Sequence, residues 1–216
     1  ALTDMRARLN LVWLIADEPA EGRRQLDEAM RDWTTDGYHV QHFNALLSRV
    51  QADLYEADPA GALRRIEQDW PALTGSLLMR IQLVRAEAYQ LRARATLARI
   101  AGTTPGRDAV QSLRRDIDLL THEKVPWIDA IAALLRAGLA RVTGDPAAAR
   151  TALRAAIAGF QAQDMQLHAA VARRQLGRLL GGAEGERLLA DAESWMATQT
   201  IRDPSRIARV FAPGLE

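Results

Sequence analysis

Apolar residues recur at steps of three and four along most of the chain. Two clear stretches are Val40, Phe43, Leu47, Val50 and Leu54, and Ile128, Ile131, Leu135, Gly138 and Val142. This spacing is typical of amphipathic α-helices, because 3.6 residues complete one turn and such positions share a face. Alanine, a strong helix former, fills many of the remaining positions. The pattern therefore predicts an all-α protein.

Two kinds of break alternate along this pattern. Acidic or Gly/Pro-bearing turns stand at Asp17-Glu18-Pro19, Asp58-Pro59, Thr104-Pro105-Gly106, Asp145-Pro146 and Gly181-Gly182, and looser breaks at Asp36-Gly37, Pro71 to Gly75, His122 to Pro126 and Gln163-Asp164. In the Asp-Pro turns, aspartate is suited to cap a helix whose first residue is proline. The breaks predict helices at 3–16, 19–35, 38–57, 59–70, 75–101, 107–121, 126–143, 146–162, 165–180, 184–198 and 204–211.

The acidic turns return with a period of about forty residues, which is typical of a helical-repeat array. In such an array each hairpin covers its apolar faces with its neighbours. We therefore expect one domain over 1–216, a right-handed superhelix (solenoid) of about five antiparallel helical hairpins. The helix predicted at 204–211 presents Ile207, Val210 and Phe211 on one side. It is expected to cap the last hairpin, or to dock onto another chain.

Two turns resemble tetratricopeptide repeats. Gly144-Asp145-Pro146-Ala147-Ala148-Ala149 is similar to that family's Gly-Asp turn and packing alanine, and Ala57-Asp58-Pro59-Ala60-Gly61-Ala62 is a second copy. The other turns are degenerate, and the period exceeds the family's 34 residues, so the helices must be longer than the standard unit. The resemblance implies a tetratricopeptide-like solenoid.

A narrower resemblance is to the helical tail of large bacterial Ser/Thr protein kinases with an ATPase-like domain. It rests on Tyr38 to Phe43 through Asp69-Trp70-Pro71, on Leu77 to Arg85, and on Asp203 to Arg206 with Ala212 to Gly214. It implies that any kinase lies upstream, because this chain has no kinase catalytic motif and no phosphate loop. The start at Ala1 and the ending Gly214-Leu215-Glu216 predict a domain excised from a longer, signal-transducing protein.

Composition removes several classes of function. The chain has no cysteine, which excludes disulfide scaffolds, thiol enzymes and cysteine-ligated metals. Its 28 basic and 27 acidic residues nearly cancel, so no global field favours nucleic acid. No apolar run is long enough for a membrane span. The 40 alanines and 27 arginines beside a single lysine suggest a GC-rich bacterial genome. We expect a cytoplasmic protein that binds neither nucleic acid nor membrane.

Residues suited to catalysis or metal binding are sparse. His39 and His42 share a helix face, with Asp36 and Glu56 as nearby acids, but zinc needs further convergent ligands. We therefore expect interface histidines and no metal or cofactor, and we interpret His168 as a packing or surface residue. No serine stands in a nucleophile elbow. The prediction is that this chain is not an enzyme.

Carboxylate pairs and tryptophans complete the candidates. The pairs are Asp116 with Asp118, Glu67 with Asp69, and Glu184 with Glu186; the tryptophans are Trp13, Trp33, Trp70, Trp127 and Trp195. Carboxylates two residues apart point to different helix faces, so we interpret the pairs as solvated or arginine-bound. The tryptophans are expected to lock stacked hairpins. The alternative is that one of them lies in a recognition groove.

The strongest charge pattern lies in the helix predicted at 75–101. Arg85, Arg92 and Arg99 repeat every seventh residue and form one stripe, which is suited to bidentate recognition of a partner's carboxylates or phosphates. The alternative is a set of ion pairs with acids of neighbouring hairpins, such as Asp53, Glu56 and Asp116.

The expected function is a non-catalytic protein-interaction or regulatory module. A repeat superhelix offers an extended concave groove, lined by the first helix of each hairpin, that is suited to a peptide or partner protein. The alternative is an effector-sensing domain, for which an enclosed pocket with convergent polar groups would be the sign. We expect a monomer or a weak homodimer.

Overall fold

The computed structural model describes residues 10–34 and 36–215, which form eleven α-helices and one short 3₁₀ segment, without a strand. The helices are α1 (Asn10–Ile15), α2 (Pro19–Met30), α3 (Val40–Tyr55), α4 (Pro59–Gly75), α5 (Gln82–Ile100), α6 (Arg107–His122), α7 (Pro126–Val142), α8 (Pro146–Ala162), α9 (Gln166–Leu180), α10 (Gly182–Thr198) and α11 (Pro204–Phe211). The prediction of an all-α protein is confirmed. Residues 3–9 of the first predicted helix, and residue 35 of the second, lie outside the described residues.

Aspartate caps fix the start of three helices. Asp58 accepts a hydrogen bond from the backbone N–H of Gly61 at 2.8 Å, and Asp145 accepts one from Ala148 at 2.9 Å. Asp203 does the same for Arg206 at 2.9 Å. In all three helices proline follows the cap, where its missing N–H has no helical partner to lose. The predicted Asp-Pro caps are therefore confirmed.

Helices pack in sequence, each against the next from α1 to α10, and alternate helices also meet: α1 with α3, α3 with α5, and α5 with α7. Small side chains allow these close approaches, and Ala86, Ala93, Ala95, Ala132, Ala137 and Ala156 are fully buried. Leu14, Val50, Leu113, Leu153 and Phe160 fill the same continuous core. This main core extends from Leu14 in α1 to Leu215 near the end of the described chain.

The predicted helix end at Trp70-Pro71 is wrong. Helix α4 continues through Pro71 to Gly75, and the 3₁₀ segment Leu77–Arg80 separates it from α5, which begins at Gln82 rather than at 75. Proline inside a helix removes one hydrogen bond and usually ends the helix. Here the extra turn carries Leu73 into full burial beside Phe43 and Val84, and this burial outweighs the lost bond.

Helix α11 belongs to a stretch, residues 201–215, that we call the closing segment. Its helix contacts α3, α5 and α9. The sequence predicts a cap on the last hairpin; the helix does contact α9 of that hairpin, and it also lies across α3 and α5. The backbone N–H of Arg202 donates to the carbonyl oxygen of Ile15 at 3.0 Å. The closing segment therefore joins the two ends of the described chain.

Candidate functional site

The arginine stripe of α5 is largely engaged by carboxylates. Arg85 donates from Nε and Nη2 to the two carboxylate oxygens of Glu123, at 2.5 and 2.7 Å. Arg92 holds Asp116 in the same bidentate way at 2.9 and 2.5 Å. Arg99 is exposed. The ion-pair alternative thus describes Arg92, whereas the partner-binding role of the three arginines stays a prediction.

Two of the acids named above as alternative partners of the stripe, Asp53 and Glu56, bind arginines outside α5. Asp53 and Glu56 both pair with Arg23, and Asp53 also accepts from Arg65 Nε at 2.7 Å. Beside Arg85, the pKa of Glu123 is held below its usual range by the hydrogen bond from the guanidinium. Sequence reasoning missed Glu123, because it follows the end of α6 and belongs to no helical pattern.

Arg92 also stacks on an aromatic ring. Its guanidinium carbon lies 3.8 Å from the ring centroid of Trp70, and Asp116 behind it is fully buried. Burial raises the pKa of the Asp116 carboxyl despite the opposing effect of Arg92. The side chain of Arg92 is only 24% exposed, so it is committed to joining α4, α5 and α6.

The closing segment lies on a largely apolar surface that we call the covered face. It is formed by α3, α5 and α9, with the C-terminal half of α7. The residues of the closing segment that share the main hydrophobic core are Ile201, Ile207, Ala208, Val210, Phe211, Ala212 and Leu215. The side chains of Ile207 and Val210 are fully buried. Each of them stabilises the contact between the closing segment and the covered face by about 1.5–3 kcal/mol.

At one end of the covered face, Arg206 of the closing segment enters a polar site. Its Nη1 donates to Asp17 Oδ1 at 2.6 Å, and its guanidinium carbon lies 4.3 Å from the ring centroid of Tyr55. The Tyr55 hydroxyl donates to the same Asp17 oxygen at 2.8 Å, so the acceptor is held in place. This site suits a cation because it offers a carboxylate and an aromatic face together.

At the other end, Phe211 lies between the ring of His168 and the buried guanidinium of Arg94. The ring of His168 meets it edge-on with centroids 4.9 Å apart, and the guanidinium carbon of Arg94 lies 5.1 Å from its centroid. Burial, and then the charge of Arg94, lower the pKa of His168 from 6.5 to about 3. Burial lowers the pKa of Arg94 itself to about 10.

The contact between the closing segment and α9 leaves polar atoms unsatisfied. Arg174 donates from Nη2 to Ser205 Oγ at 2.7 Å, but its buried Nη1 has no hydrogen-bond partner among the described residues. Gln175 reaches the carbonyl oxygen of Ala212 only at 3.5 Å, and its buried Oε1 is likewise unpaired there. Such atoms are rare in protein cores. The covered face therefore carries polar groups that the closing segment does not fully use.

A second candidate is an open cleft of about 730 Å³ beside the loop before α3, lined by Tyr38, His42, Arg49 and Asp69 among others. The Tyr38 hydroxyl donates to Asp69 Oδ2 at 3.2 Å, and burial raises the pKa of this hydroxyl. The cleft opens to solvent and lacks the enclosure that a small-molecule site typically has.

His39 and His42, the histidines considered as metal ligands, form hydrogen bonds within the loop before α3 and the start of that helix. His42 Nδ1 accepts from the backbone N–H of His39 at 3.0 Å, and its Nε2 lies 3.1 Å from the carbonyl oxygen of Thr34. His39 Nε2 lies 2.8 Å from the carbonyl oxygen of Asp36. Both nitrogens of His42 are thus occupied. Within residues 10–34 and 36–215, no group of three or more histidines and carboxylates is placed to hold a metal ion.

The remaining candidates lie apart. Glu184 is exposed and forms a long ion pair with Arg154 at 3.5 Å, as expected for a solvated pair. Trp70, Trp127 and Trp195 pack against the core. In the described part of the chain, no helix combines the length and the apolar character that crossing a bilayer demands.

Comparison of the chain with protein-family models, curated proteins and solved structures gives no match. The resemblance to tetratricopeptide repeats and kinase tails therefore stays a prediction. Sequence reasoning missed the polar ends of the covered face, namely Asp17 with Tyr55 and Arg94. The available signal was the apolar side of the helix at 204–211, which shows that a partner surface exists but not where it lies.

Proposed function

We propose that this chain is a non-catalytic protein-interaction module whose covered face binds a helical segment of a partner protein. One observation carries the proposal: the covered face already holds a helix, α11, along one apolar side. Grooves that receive an amphipathic helix typically take apolar anchors spaced like Ile207, Val210 and Phe211.

We also propose that the helices form a tetratricopeptide-like solenoid, and that the covered face is its concave side. The capped turns at Asp58 and Asp145, the buried alanines and the contacts between alternate helices support this geometry. A kinase tail in the bacterial cytoplasm is the regulatory setting implied by the resemblance. Sequencing the source gene upstream of the codon for Ala1 tests this setting, because an uninterrupted frame into a kinase domain is expected.

The effector-sensing alternative has less support. A small molecule is held best by an enclosed pocket with a few convergent polar groups. The cleft beside Tyr38 is open, whereas the polar groups of the covered face are spread between Asp17 at one end and Arg94 at the other. An extended partner fits this spacing better than a compact ligand does.

A disulfide lock offers a matched test. A Cβ atom built at Gly214 would lie 3.7 Å from the Cβ of Leu97, and disulfides span about 3.5–4.5 Å between these atoms. The chain has no native cysteine. The double variant Leu97→Cys, Gly214→Cys therefore locks the closing segment in place when oxidised and allows it to detach when reduced. Gly214 has a φ of 80°, so cysteine there costs about 1–2 kcal/mol, which both redox forms share.

The experiment selects displayed random peptides, as long as the closing segment, on the reduced double variant. Peptides are then measured on both redox forms by fluorescence anisotropy. We expect ligands that bind the reduced form and lose at least about tenfold in affinity on the oxidised form. Equal binding to both forms, or no enriched peptide from a folded reduced protein, contradicts a helix-binding covered face.

A further inference from the structure

We propose that the closing segment is an intramolecular ligand, which occupies the covered face in place of a partner helix of the same chemistry. The partner carries an arginine followed by apolar residues at the first, fourth and fifth positions after it, the last of them aromatic. This inference rests on the proposed function and adds to it the class of partner and the way in which access is controlled.

This pattern comes from the side chains of the closing segment that contact the covered face. Arg206 contacts Asp17 and the ring of Tyr55, and Phe211 contacts His168 and Arg94. Between these two ends, Ile207 and Val210 are completely buried. Two polar recognition sites separated by an apolar strip thus define both the sequence and the register of a bound helix.

The charges of the covered face also fix the direction of the helix. The Asp17 carboxylate lies at the first turn of α11, and the Arg94 guanidinium lies at its last residue. A helix carries partial positive charge at its N-terminus and partial negative charge at its C-terminus, so both placements are favourable. A helix bound in the opposite direction would bring each end beside a like charge.

The closing segment meets the covered face imperfectly. Arg174 Nη1 and Gln175 Oε1 are buried without hydrogen-bond partners in the described chain, and a cavity of about 140 Å³ remains between α3, α5 and the closing segment beside Arg209 and Pro213. A partner helix that supplies an acceptor to Arg174 Nη1 gains an interaction that the closing segment does not make. Displacement is therefore favoured for a partner that repeats the pattern and adds this acceptor.

The connection to α10 is strained, which favours release as a unit. Thr200 lies between α10 and the closing segment and has a φ of 58°. A β-branched residue rarely adopts this left-handed conformation. Because the strain is local to Thr200, rotation there can relax it and swing the closing segment away while α1 to α10 keep their mutual contacts.

The test uses a fluorescent synthetic peptide with the sequence of residues 201–215 and three full chains. These are the wild type, Arg206→Ala, which weakens the closing segment, and Arg202→Ala, a matched control because the Arg202 side chain is exposed. Circular dichroism first establishes that the variants are folded. When a site is open in only a fraction of molecules, the apparent Kd rises by the inverse of that fraction. We therefore expect the peptide to bind Arg206→Ala about tenfold more tightly than the wild type and Arg202→Ala.

Changes in the peptide test the recognition pattern on the same Arg206→Ala chain. Replacing its arginine or its phenylalanine at positions 206 and 211 by alanine is expected to weaken binding about tenfold each, and replacing Arg202 is expected to leave it unchanged. Hydrogen exchange of the wild type gives a second measurement. We expect the amides of residues 205–215 to exchange through an opening that leaves α3, α5 and α9 protected.

The outcomes separate this inference from the proposed function. If library peptides bind the reduced double variant while the 201–215 peptide binds no chain, the interaction module stands and the intramolecular ligand is wrong. Equal binding of the peptide to wild type and Arg206→Ala, or exchange of residues 205–215 only through global unfolding, also overturns the inference. If no peptide of either kind binds, both proposals fail.

Discussion

Acid should weaken this fold through one histidine. His168 lies between the rings of Phe160 and Phe211, with centroid distances of 5.1 and 4.9 Å. Its pKa is lowered from 6.5 to about 3, first by burial and then by the charge of Arg94. In the native state the ring therefore stays neutral at a pH where the unfolded chain already binds a proton.

The direction and the size of the change in stability with pH follow from proton linkage. Since the native pKa lies below the unfolded one, the contribution of His168 to stability is complete above pH 6.5 and is lost progressively as the pH falls towards 3. Each pH unit within this range is worth about 1.4 kcal/mol, which gives at most about 3 kcal/mol at pH 4. Part of the side chain reaches the surface, and water there reduces the penalty. We therefore expect a loss of about 2 kcal/mol.

The assay is urea unfolding followed by circular dichroism at about pH 7.5 and about pH 4, for the wild type and for His168→Gln. Carboxylates also titrate in this range, but they do so in both proteins, so the difference between the two isolates His168. His122→Gln is the matched control, because His122 is exposed and its ring is hydrogen-bonded to the backbone carbonyl of Asp118 in its own helix.

The wild type should lose about 2 kcal/mol more than His168→Gln between these pH values, and His122→Gln should follow the wild type. If His168→Gln loses as much stability as the wild type, the ring is not held neutral by burial between Phe160 and Phe211.

Three further predictions concern packing, and thermal or urea unfolding measures each. Gly177→Ala should destabilise the fold by about 1–3 kcal/mol, because the added Cβ would lie 2.6 Å from a backbone oxygen of α10. Gly75→Ala is the control and should be neutral, because the added Cβ would point into open space. Equal losses of stability in the two variants would contradict this prediction. Asp116→Asn should lower the free energy of unfolding by about 2–4 kcal/mol, because Asp116 is the buried bidentate partner of Arg92. A loss below about 0.5 kcal/mol, the usual size for a surface substitution, would refute this prediction. Pro71→Ala should stabilise α4 by about 1–2 kcal/mol by restoring a helical N–H, and a loss would show that the proline is required.

Local signals were enough to predict most helices and their caps. Asp58, Asp145 and Asp203 each act within three residues, so the sequence alone contains the interaction. Pro71 shows where this reasoning fails. The local rule ends the helix there, but the burial of Leu73 against residues of α3 and α5 decides the outcome.

The candidate site depends on contacts that no local pattern contains. The seven-residue period correctly places Arg85 and Arg92 on one face of α5, but the carboxylates that meet them belong to α6 and the turn after it. The apolar side of α11 was visible in the sequence. The position of α11 in the fold could not be predicted, because its Arg206 side chain contacts Tyr55 and Asp17, which lie 151 and 189 positions away.

That separation has a consequence for the newly made chain. The covered face is complete once α9 ends at Leu180, but it is closed only after residue 215 has been added. At a synthesis rate of about 5–20 residues per second, the nascent chain exposes the finished face for about 2–7 s. A partner helix that meets the nascent chain within this interval therefore finds the face before the closing segment has folded onto it.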